Sequence, residues 1–152
     1  MEDPVDRRLA AEVARDPRAT LSQLSARVGL SSSAVQARLK RLENSGVITG
    51  YRAVIDPEAA GKPLSAFIEV TPLDPTQADE VPGLLEHLSA IESCYSIAGE
   101  ASYMLFVRVA APRDLETLIQ SIRRAVLANT RTTVVLQTFY EHRPMLEAPE
   151  TD

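Results

Sequence analysis

The side chains with the clearest chemical pattern lie between residues 31 and 45, on one face of a predicted helix. Val35, Leu39 and Leu42 recur at helical spacing and form its buried stripe. The other side presents small, amide and cationic side chains, namely Ser32, Ser33, Gln36, Ala37, Arg38, Lys40 and Arg41. Small residues allow close approach to base edges, an amide can hydrogen-bond a base, and cations can reach phosphates. The pattern therefore favours double-stranded DNA as a partner.

An ordinary solvated helix face is the alternative interpretation, and the charge pattern alone leaves both open. Exposed helices of mixed charge usually interleave glutamates with their cations. Between residues 27 and 52, however, Glu43 is the single acid. The basic side chains of that stretch are Arg27, Arg38, Lys40, Arg41 and Arg52. This local excess of cations is what favours DNA over solvent.

The charge of the whole chain at first argues against a nucleic-acid partner, because 16 Lys and Arg against 21 Asp and Glu give a net −5. Two prolines and a glycine between residues 56 and 63 mark a candidate boundary. Residues 1–57 hold nine basic and seven acidic side chains, whereas residues 58–152 carry a net −7. A part with so small a basic excess should bind DNA weakly as a single copy, which favours an oligomer.

The N-terminal part is expected to form three helices in a helix-turn-helix, winged-helix-like arrangement. Asp3, Thr20 and Ser31 are each placed to cap the start of one helix. The third helix, over about 31–45, is the predicted recognition helix. The β-branched stretch 47–55 after it predicts a strand or wing.

The C-terminal part has the pattern of a ferredoxin-like domain, so the fold class is predicted to be α+β. The predicted elements are strand 64–71, helix 78–91, strands 94–98 and 103–110, a helix opening at Pro112, and strand 130–140. This β-α-β-β-α-β order forms an antiparallel sheet with both helices on one face. The expected domains are therefore a DNA-binding domain over 1–55, a linker over 56–63, a ferredoxin-like domain over 64–143, and a tail over 144–152.

The strand over residues 103–109 is apolar on both sides, although a sheet covered on one face should alternate. Its second side would join other aromatic and apolar groups in an exposed patch, made by Phe67, Met104, Phe106 and Phe139. Such a patch usually marks an interface, and we expect a homodimer formed face to face. The alternative is that the tail or the linker covers this face.

Enzyme chemistry has almost no support in the sequence. No nucleophile–base pair or carboxylate pair stands out, and no phosphate-binding or dinucleotide-binding glycine motif occurs. Cys94, His87 and His142 do not have metal-ligand spacing, so neither a metal nor a cofactor is expected. A single cysteine suits the cytoplasm, and no apolar run is long enough for a membrane span.

Several stretches resemble the Lrp/AsnC, or feast/famine, family of transcriptional regulators. They are Ala19-Thr20-Leu21-Ser22-Gln23-Leu24-Ser25, Val28-Gly29-Leu30-Ser31, Val35-Gln36-Ala37-Arg38-Leu39, Arg41-Leu42-Glu43-Asn44-Ser45-Gly46-Val47-Ile48, Gly50-Tyr51, Asp56-Pro57, Ala66-Phe67, Cys94-Tyr95-Ser96-Ile97-Ala98-Gly99-Glu100 and Thr130-Arg131-Thr132. The resemblance covers nearly the whole chain in the expected order. Ala66-Phe67 followed by Thr71-Pro72-Leu73-Asp74-Pro75 looks most like actinobacterial members.

The resemblance implies a DNA-reading helix-turn-helix and a C-terminal ferredoxin-like (RAM) domain that dimerises and binds an amino acid. Family dimers often assemble into octamers, and a regulator of this kind would be cytoplasmic and nucleoid-associated. The effector positions carried over are Ala98, Gly99, Glu100, Ala101, Ser102, Tyr103, Asn129, Thr130, Thr132 and Thr133. Many members have an aspartate where this chain has Ser102.

The chemistry of the turn is compatible with that implied site. Gly99 would permit a strained turn and close approach of a small zwitterion, whose ammonium would seek Glu100. A glycine required only by the hairpin is the alternative.

The leading interpretation is thus a sequence-specific, DNA-binding transcriptional regulator that responds to an amino acid bound between C-terminal domains. The alternative is an amino-acid-sensing or interaction module without operator binding.

Overall fold

The structure is a computed structural model that describes residues 3–146, except for the side chains of residues 75, 77 and 78. The chain divides into two compact units, one of residues 3–53 with 140–146 and one of residues 54–139. The predicted tail over 144–152 and the first two residues of the predicted N-terminal domain thus lie partly outside the described residues.

The first unit contains three helices, α1 (Pro4–Arg15), α2 (Leu21–Val28) and α3 (Ser32–Asn44). Each begins directly after the residue whose type predicted a cap. The side chain of Asp3 accepts a hydrogen bond from the Val5 amide, Thr20 forms a capping box, and Ser31 accepts from the Ala34 amide. These local bonds explain why the helix starts could be predicted from the sequence.

The turn between α2 and α3 depends on Gly29, whose φ of +71° is in the left-handed region. Its amide donates to the Ser25 carbonyl at 2.9 Å, and Ser25 Oγ donates to the carbonyl of Leu30. The helices then bury one apolar cluster, consisting of Leu9, Ala10, Val13, Leu24, Val28, Val35 and Leu42. Leu146 packs against its edge.

The second unit is a four-stranded antiparallel sheet covered on one face by helices. Its elements are β1 (Leu64–Pro72), a 3₁₀ helix (Pro75–Glu80), α4 (Val81–Leu85), β2 (Ile91–Ser96), β3 (Tyr103–Val109), α5 (Pro112–Val126) and β4 (Ala128–Val134). The strand order β2-β3-β1-β4 is that of the predicted ferredoxin-like arrangement. The α+β fold class is confirmed.

Alternate residues of the central strands face the helices and form the core of this unit. Ile68 and Leu105 are paired across β1 and β3, and both are fully buried. They pack with apolar residues of both α4 and α5, including Leu85 and Ile122. The intervening residues of each strand point to the opposite face of the sheet. The apolar side chains on that face therefore lie outside the core.

Four predicted elements differ from the structure. The strand expected over 94–98 is β2, which begins three residues earlier, at Ile91, and ends at Ser96. The helix expected over 78–91 is replaced by the 3₁₀ helix and the short α4. The last strand was expected over 130–140 but ends at Val134. Residues 47–55 form no strand in the structure.

Candidate functional site

The outer side of α3 presents a continuous exposed row. Its exposed members are Ser32, Ser33, Gln36, Ala37, Lys40 and Arg41, and the exposed Glu43 and Asn44 follow at the C-terminal end of the helix. Val35 and Leu42, on the other side, are buried at 0% and 3% exposure and fix which side faces outward. The Ser31 cap also bonds the Ser33 hydroxyl at 3.1 Å, which orders the first turn of the row.

Arg38 lies apart from this row, because its guanidinium is bound to α1. Its Nη1 is 2.6 Å from Asp3 Oδ2 and 2.6 Å from Asp6 Oδ1. The Asp6 side chain is 9% exposed and the Arg38 side chain 27%. The charge of Arg38 thus joins two helices, and its predicted contact with DNA stays a prediction.

Arg41 combines exposure with an ion pair. Its side chain is 59% exposed, yet its Nη2 contacts Asp6 Oδ2 and lies 4.0 Å from Asp3 Oδ2. Lys40, by contrast, makes no ion pair with any side chain of residues 3–146 for which contacts are described. The sequence could not reveal this difference, because Asp3 and Asp6 are distant in the chain and meet α3 only after packing.

The ion pair gives the first unit a pH-dependent component of stability. The hydrogen bond from Arg38, then that from the Val5 amide, lower the pKa of Asp3 below its ordinary 3.8. Because this pKa is lower in the folded state, ionised Asp3 stabilises the fold fully above the ordinary value. That stabilisation is lost as the pH falls through the folded pKa.

We therefore expect the free energy of unfolding of Asp3→Asn to decline less than that of the wild type between about pH 5 and about pH 2. Asparagine preserves the helix cap, so the comparison isolates the charge. Chemical denaturation at each pH measures it. Parallel declines for the two proteins would contradict the assignment.

The turn between β2 and β3 holds the first half of the predicted effector positions. The amide of Ile97 donates to the Ser102 carbonyl at 3.0 Å, and the Ser102 amide donates to the Val70 carbonyl at 3.1 Å. Ala98, Gly99 and Glu100 are exposed, and Ser102 is half-buried. Ala101 and Tyr103 are buried, at 5% and 7% exposure, so their side chains are not on the exposed surface of the turn.

Gly99 does not adopt the strained conformation that the sequence suggested. The glycines with left-handed φ among the described residues are Gly29, Gly46 and Gly61. A Cβ added at Gly99 would meet nothing within 4 Å. The turn itself therefore does not require glycine, and the space above it is open.

The second half of the predicted effector positions lies on β4, partly at the same end of the sheet. Tyr103 pairs with Val70, and Val70 pairs with Thr130, so the turn and the start of β4 are two strand spacings apart, about 10 Å. Thr133 pairs with Phe67 and lies three residues further along.

The β4 side chains also divide between the two faces of the sheet, because side chains alternate along a strand. Thr130 and Thr132 share the face of the helices, whereas Asn129 and Thr133 share the other. The Thr130 hydroxyl accepts a hydrogen bond of 2.7 Å from Arg123 Nε of α5. Arg123 was not among the predicted residues, and nothing in its position on a polar helix face marked it.

The sheet face away from the helices has an aromatic centre. The rings of Phe67 and Phe106, paired across β1 and β3, have centroids 5.1 Å apart, and Phe67 is 41% exposed. Met104 lies beside them on β3, opposite Tyr95, which is 54% exposed and which sequence reasoning missed. Phe139 is exposed too, but it follows the end of β4.

Ion pairs flank this aromatic centre. Arg108 Nε lies 3.2 Å from Glu92 Oε1, and its guanidinium carbon lies 5.0 Å from the Phe106 ring centroid. On the other side, Arg131 Nε lies 3.4 Å from Glu69 Oε2. An apolar centre with a charged rim has the composition of a protein–protein interface.

Among residues 3–146, no group of three or more His, Cys, Asp or Glu side chains is placed to hold a metal ion. Within the same range, no helix is long and apolar enough to cross a membrane.

Both units correspond to known protein families. Residues 2–49 match the family described as winged helix-turn-helix DNA-binding, and residues 65–145 match the Lrp/AsnC ligand binding domain. The chain belongs to the Lrp/AsnC family of transcriptional regulators. It is therefore a DNA-binding regulator and not an enzyme, as the sequence pattern indicated.

Relatives support this membership over nearly the full length. The HTH-type transcriptional regulator LrpA of Mycobacterium tuberculosis is 57% identical over 141 residues, which cover 93% of this chain and 94% of the relative. The leucine-responsive regulatory protein of Haemophilus influenzae is 33% identical over 139 residues. That match covers 89% of this chain and 84% of the relative.

A solved structure of a Lrp/AsnC relative carries an amino acid. The feast or famine regulatory protein of M. tuberculosis, complexed with L-methionine, is 54% identical and superposes with a TM-score of 0.93. The match covers 97% of this chain and 100% of that one. The fold and the regulatory class are thus common to both proteins.

Proposed function

We propose that this Lrp/AsnC regulator reads the major groove of double-stranded DNA with the exposed row of α3. The observation that carries the proposal is the contrast between the two sides of this helix: a buried apolar side and a capped, exposed row of small, amide and cationic groups. An α-helix fits the major groove, where base pairs present distinct donor and acceptor patterns.

Individual roles follow from side-chain chemistry and exposure. Gln36 can hydrogen-bond a base edge, while the small Ser33 and Ala37 permit close approach. Lys40, and Arg41 with its remaining donors, can reach phosphates, and Ser32 lies at the N-terminal end of the row. Arg38 serves to position α3 on α1.

Removal of Lys40 tests this arrangement through the salt dependence of binding. A lost phosphate contact should reduce the slope of log affinity against log salt by about 0.9 per contact. We expect Lys40→Ala to show that decrease with a duplex obtained by selection from a random library. Lys62→Ala, which removes the other lysine of the chain from an exposed loop outside α3, is the matched control. Equal slopes for the two variants would contradict the role of Lys40.

We place an amino-acid effector at the turn between β2 and β3 and at the start of β4. The L-methionine bound by the M. tuberculosis relative supports this ligand class. In this chain the exposed carboxylate of Glu100 can bind the ammonium group, and backbone amides of the open turn beside Gly99 can bind the carboxylate. The remaining proposed effector positions lie on β4 and divide between the two faces of the sheet. They are Asn129, Thr130, Thr132 and Thr133.

Calorimetric titration with the standard amino acids tests the effector site. We expect at least one to bind the wild type, and roughly tenfold weaker binding to Glu100→Gln, since the variant loses a charge-assisted hydrogen bond. Glu86→Gln, an exposed carboxylate on the segment after α4, should bind like the wild type. Silence across all of the amino acids would contradict amino-acid sensing.

We propose further that the sheet face with Phe67, Met104 and Phe106 joins two copies, with Phe139 contributing from the segment after β4. Dimers would combine into octamers. Two copies place two recognition helices on successive half-sites, which offsets the small basic excess of each N-terminal unit. Because its partner is chromosomal DNA, we place the protein in the cytoplasm, associated with the nucleoid.

A further inference from the structure

We propose that Asp6, together with Asp3, determines specificity by neutralising part of the charge of the arginines of α3, which weakens their contacts with the DNA backbone. The two carboxylates would mask cationic charge at the interface, so that binding depends on base contacts. This inference rests on the proposed DNA reading by α3 and concerns how the same surface discriminates between duplexes.

The geometry shows a carboxylate shared between two arginines. Asp6 uses Oδ1 for Arg38 Nη1 at 2.6 Å and Oδ2 for Arg41 Nη2. Asp3 adds a second carboxylate at 2.6 Å from Arg38 Nη1. Asp6 is nearly buried, whereas Arg41 is 59% exposed. A carboxylate fixed in this way keeps its arginines near α1 even where solvent, or a phosphate, could reach them.

The masking changes the charge balance of the proposed interface. Helix α3 has three cations, Arg38, Lys40 and Arg41, and two of them are paired with the acids of α1. Sequence-independent binding depends on cation–phosphate contacts, whereas base edges supply the sequence information. Fewer available cations should therefore weaken binding to unrelated duplexes more than binding to the correct one.

Simple helix packing is the competing explanation, and the same unit contains an ion-pair cluster that serves as its control. Arg27 of α2 lies 3.5 Å from Glu12 Oε2 and 3.2 Å from Asp16 Oδ2. This cluster also joins two helices, but it has no member on α3. Neutralising Asp16 makes the same change in net charge without releasing a cation of α3.

The experiment compares Asp6→Asn, Asp3→Asn and Asp16→Asn with the wild type. Affinity is measured across salt concentrations for a duplex selected by the wild type from a random library and for a shuffled duplex of equal length. One released cation should steepen the slope by about 0.9, an extra change of about 3.5-fold in affinity over a fourfold change in salt. We expect this steepening, with a lower ratio of selected to shuffled affinity, for Asp6→Asn. Asp3→Asn should change both in the same direction by a smaller amount, because Arg38 stays bonded to Asp6. Asp16→Asn should change neither.

Thermal unfolding of each variant accompanies the binding measurements. If Asp6→Asn does not fold, Asp3→Asn carries the test, because asparagine preserves the α1 cap. If the salt slopes and affinity ratios of Asp6→Asn and Asp3→Asn equal those of Asp16→Asn, the masking proposal is overturned. The ion pairs would then serve only to pack the helices. Loss of both affinities by the same factor would overturn it as well. Failure of the wild type to bind any duplex would instead overturn the proposed function.

Discussion

Ala37→Glu is expected to weaken binding to a selected duplex by about 100-fold, the largest effect of any single change on α3. Ala37 is exposed in the middle of the row, where a helix in the major groove approaches the bases most closely. A glutamate there adds bulk and a negative charge opposite phosphates. Displacing base contacts worth about 1–3 kcal/mol each is sufficient for a loss of that size.

The fold itself should tolerate this substitution, because the side chain points into solvent and glutamate favours helix. The matched control is Ala59→Glu, the same change at an exposed position in the loop after residue 56. Gel-shift titration and thermal unfolding of both variants make the comparison. Similar affinities for Ala37→Glu and Ala59→Glu would show that α3 does not contact DNA in the proposed way.

Phe67→Asp is expected to break the proposed face-to-face dimer at micromolar concentration and so to lower the mass per particle. The Phe67 ring contacts Phe106 at the centre of the exposed sheet face. In the proposed dimer a charge at this point would be buried without a partner, which costs several kcal/mol for each copy. Two copies of the change act on one symmetric interface, so the effect is doubled.

A matched control exists on the helical side of the same unit. Leu84 of α4 is 39% exposed, close to the 41% of Phe67, but lies on an element that covers the other face. Leu84→Asp should therefore retain the mass of the wild-type assembly. Sedimentation or light scattering gives the mass per particle. A wild-type mass for Phe67→Asp would contradict the assignment of this face to dimerisation.

The parts of the fold that were predictable from the sequence are those determined by nearby residues. Thr20 and Gln23 cap α2 through each other, and Gly29 closes the turn that follows, so each signal lies within a few residues of its effect. Ile68 and Val70 are two positions apart along β1 and therefore share one face. This spacing of apolar residues likewise indicates which side is buried. Such features do not depend on how distant segments meet.

The elements that differed are limited by tertiary context or by local breakers. Residues 130–140 are β-branched and aromatic, but β4 ends at Val134 because its partner β1 begins two residues before Ala66, with which Val134 pairs. The stretch 47–55 has the composition of a strand and no partner in the described structure. In the segment after β1, Pro82 has no amide hydrogen and is tolerated only in the first turn of a helix, so α4 begins at Val81 and not at residue 78.

The candidate sites show the same division. The exposed side of α3 could be inferred from spacing, because the buried stripe of Val35 and Leu42 determines it. The state of Arg38 could not, since its ion pairs with Asp3 and Asp6 cross more than 30 residues and require α1 to pack on α3. Composition gives the number of cations, whereas packing decides which of them are available.

We propose that copies of this chain read a DNA sequence together. Selection from a random duplex library with the wild-type protein tests it most directly. We expect enrichment of one motif arranged as two inverted half-sites whose centres are separated by about one helical turn, 10–10.5 base pairs, or a multiple of it. Recovery of duplexes with no common motif would contradict it.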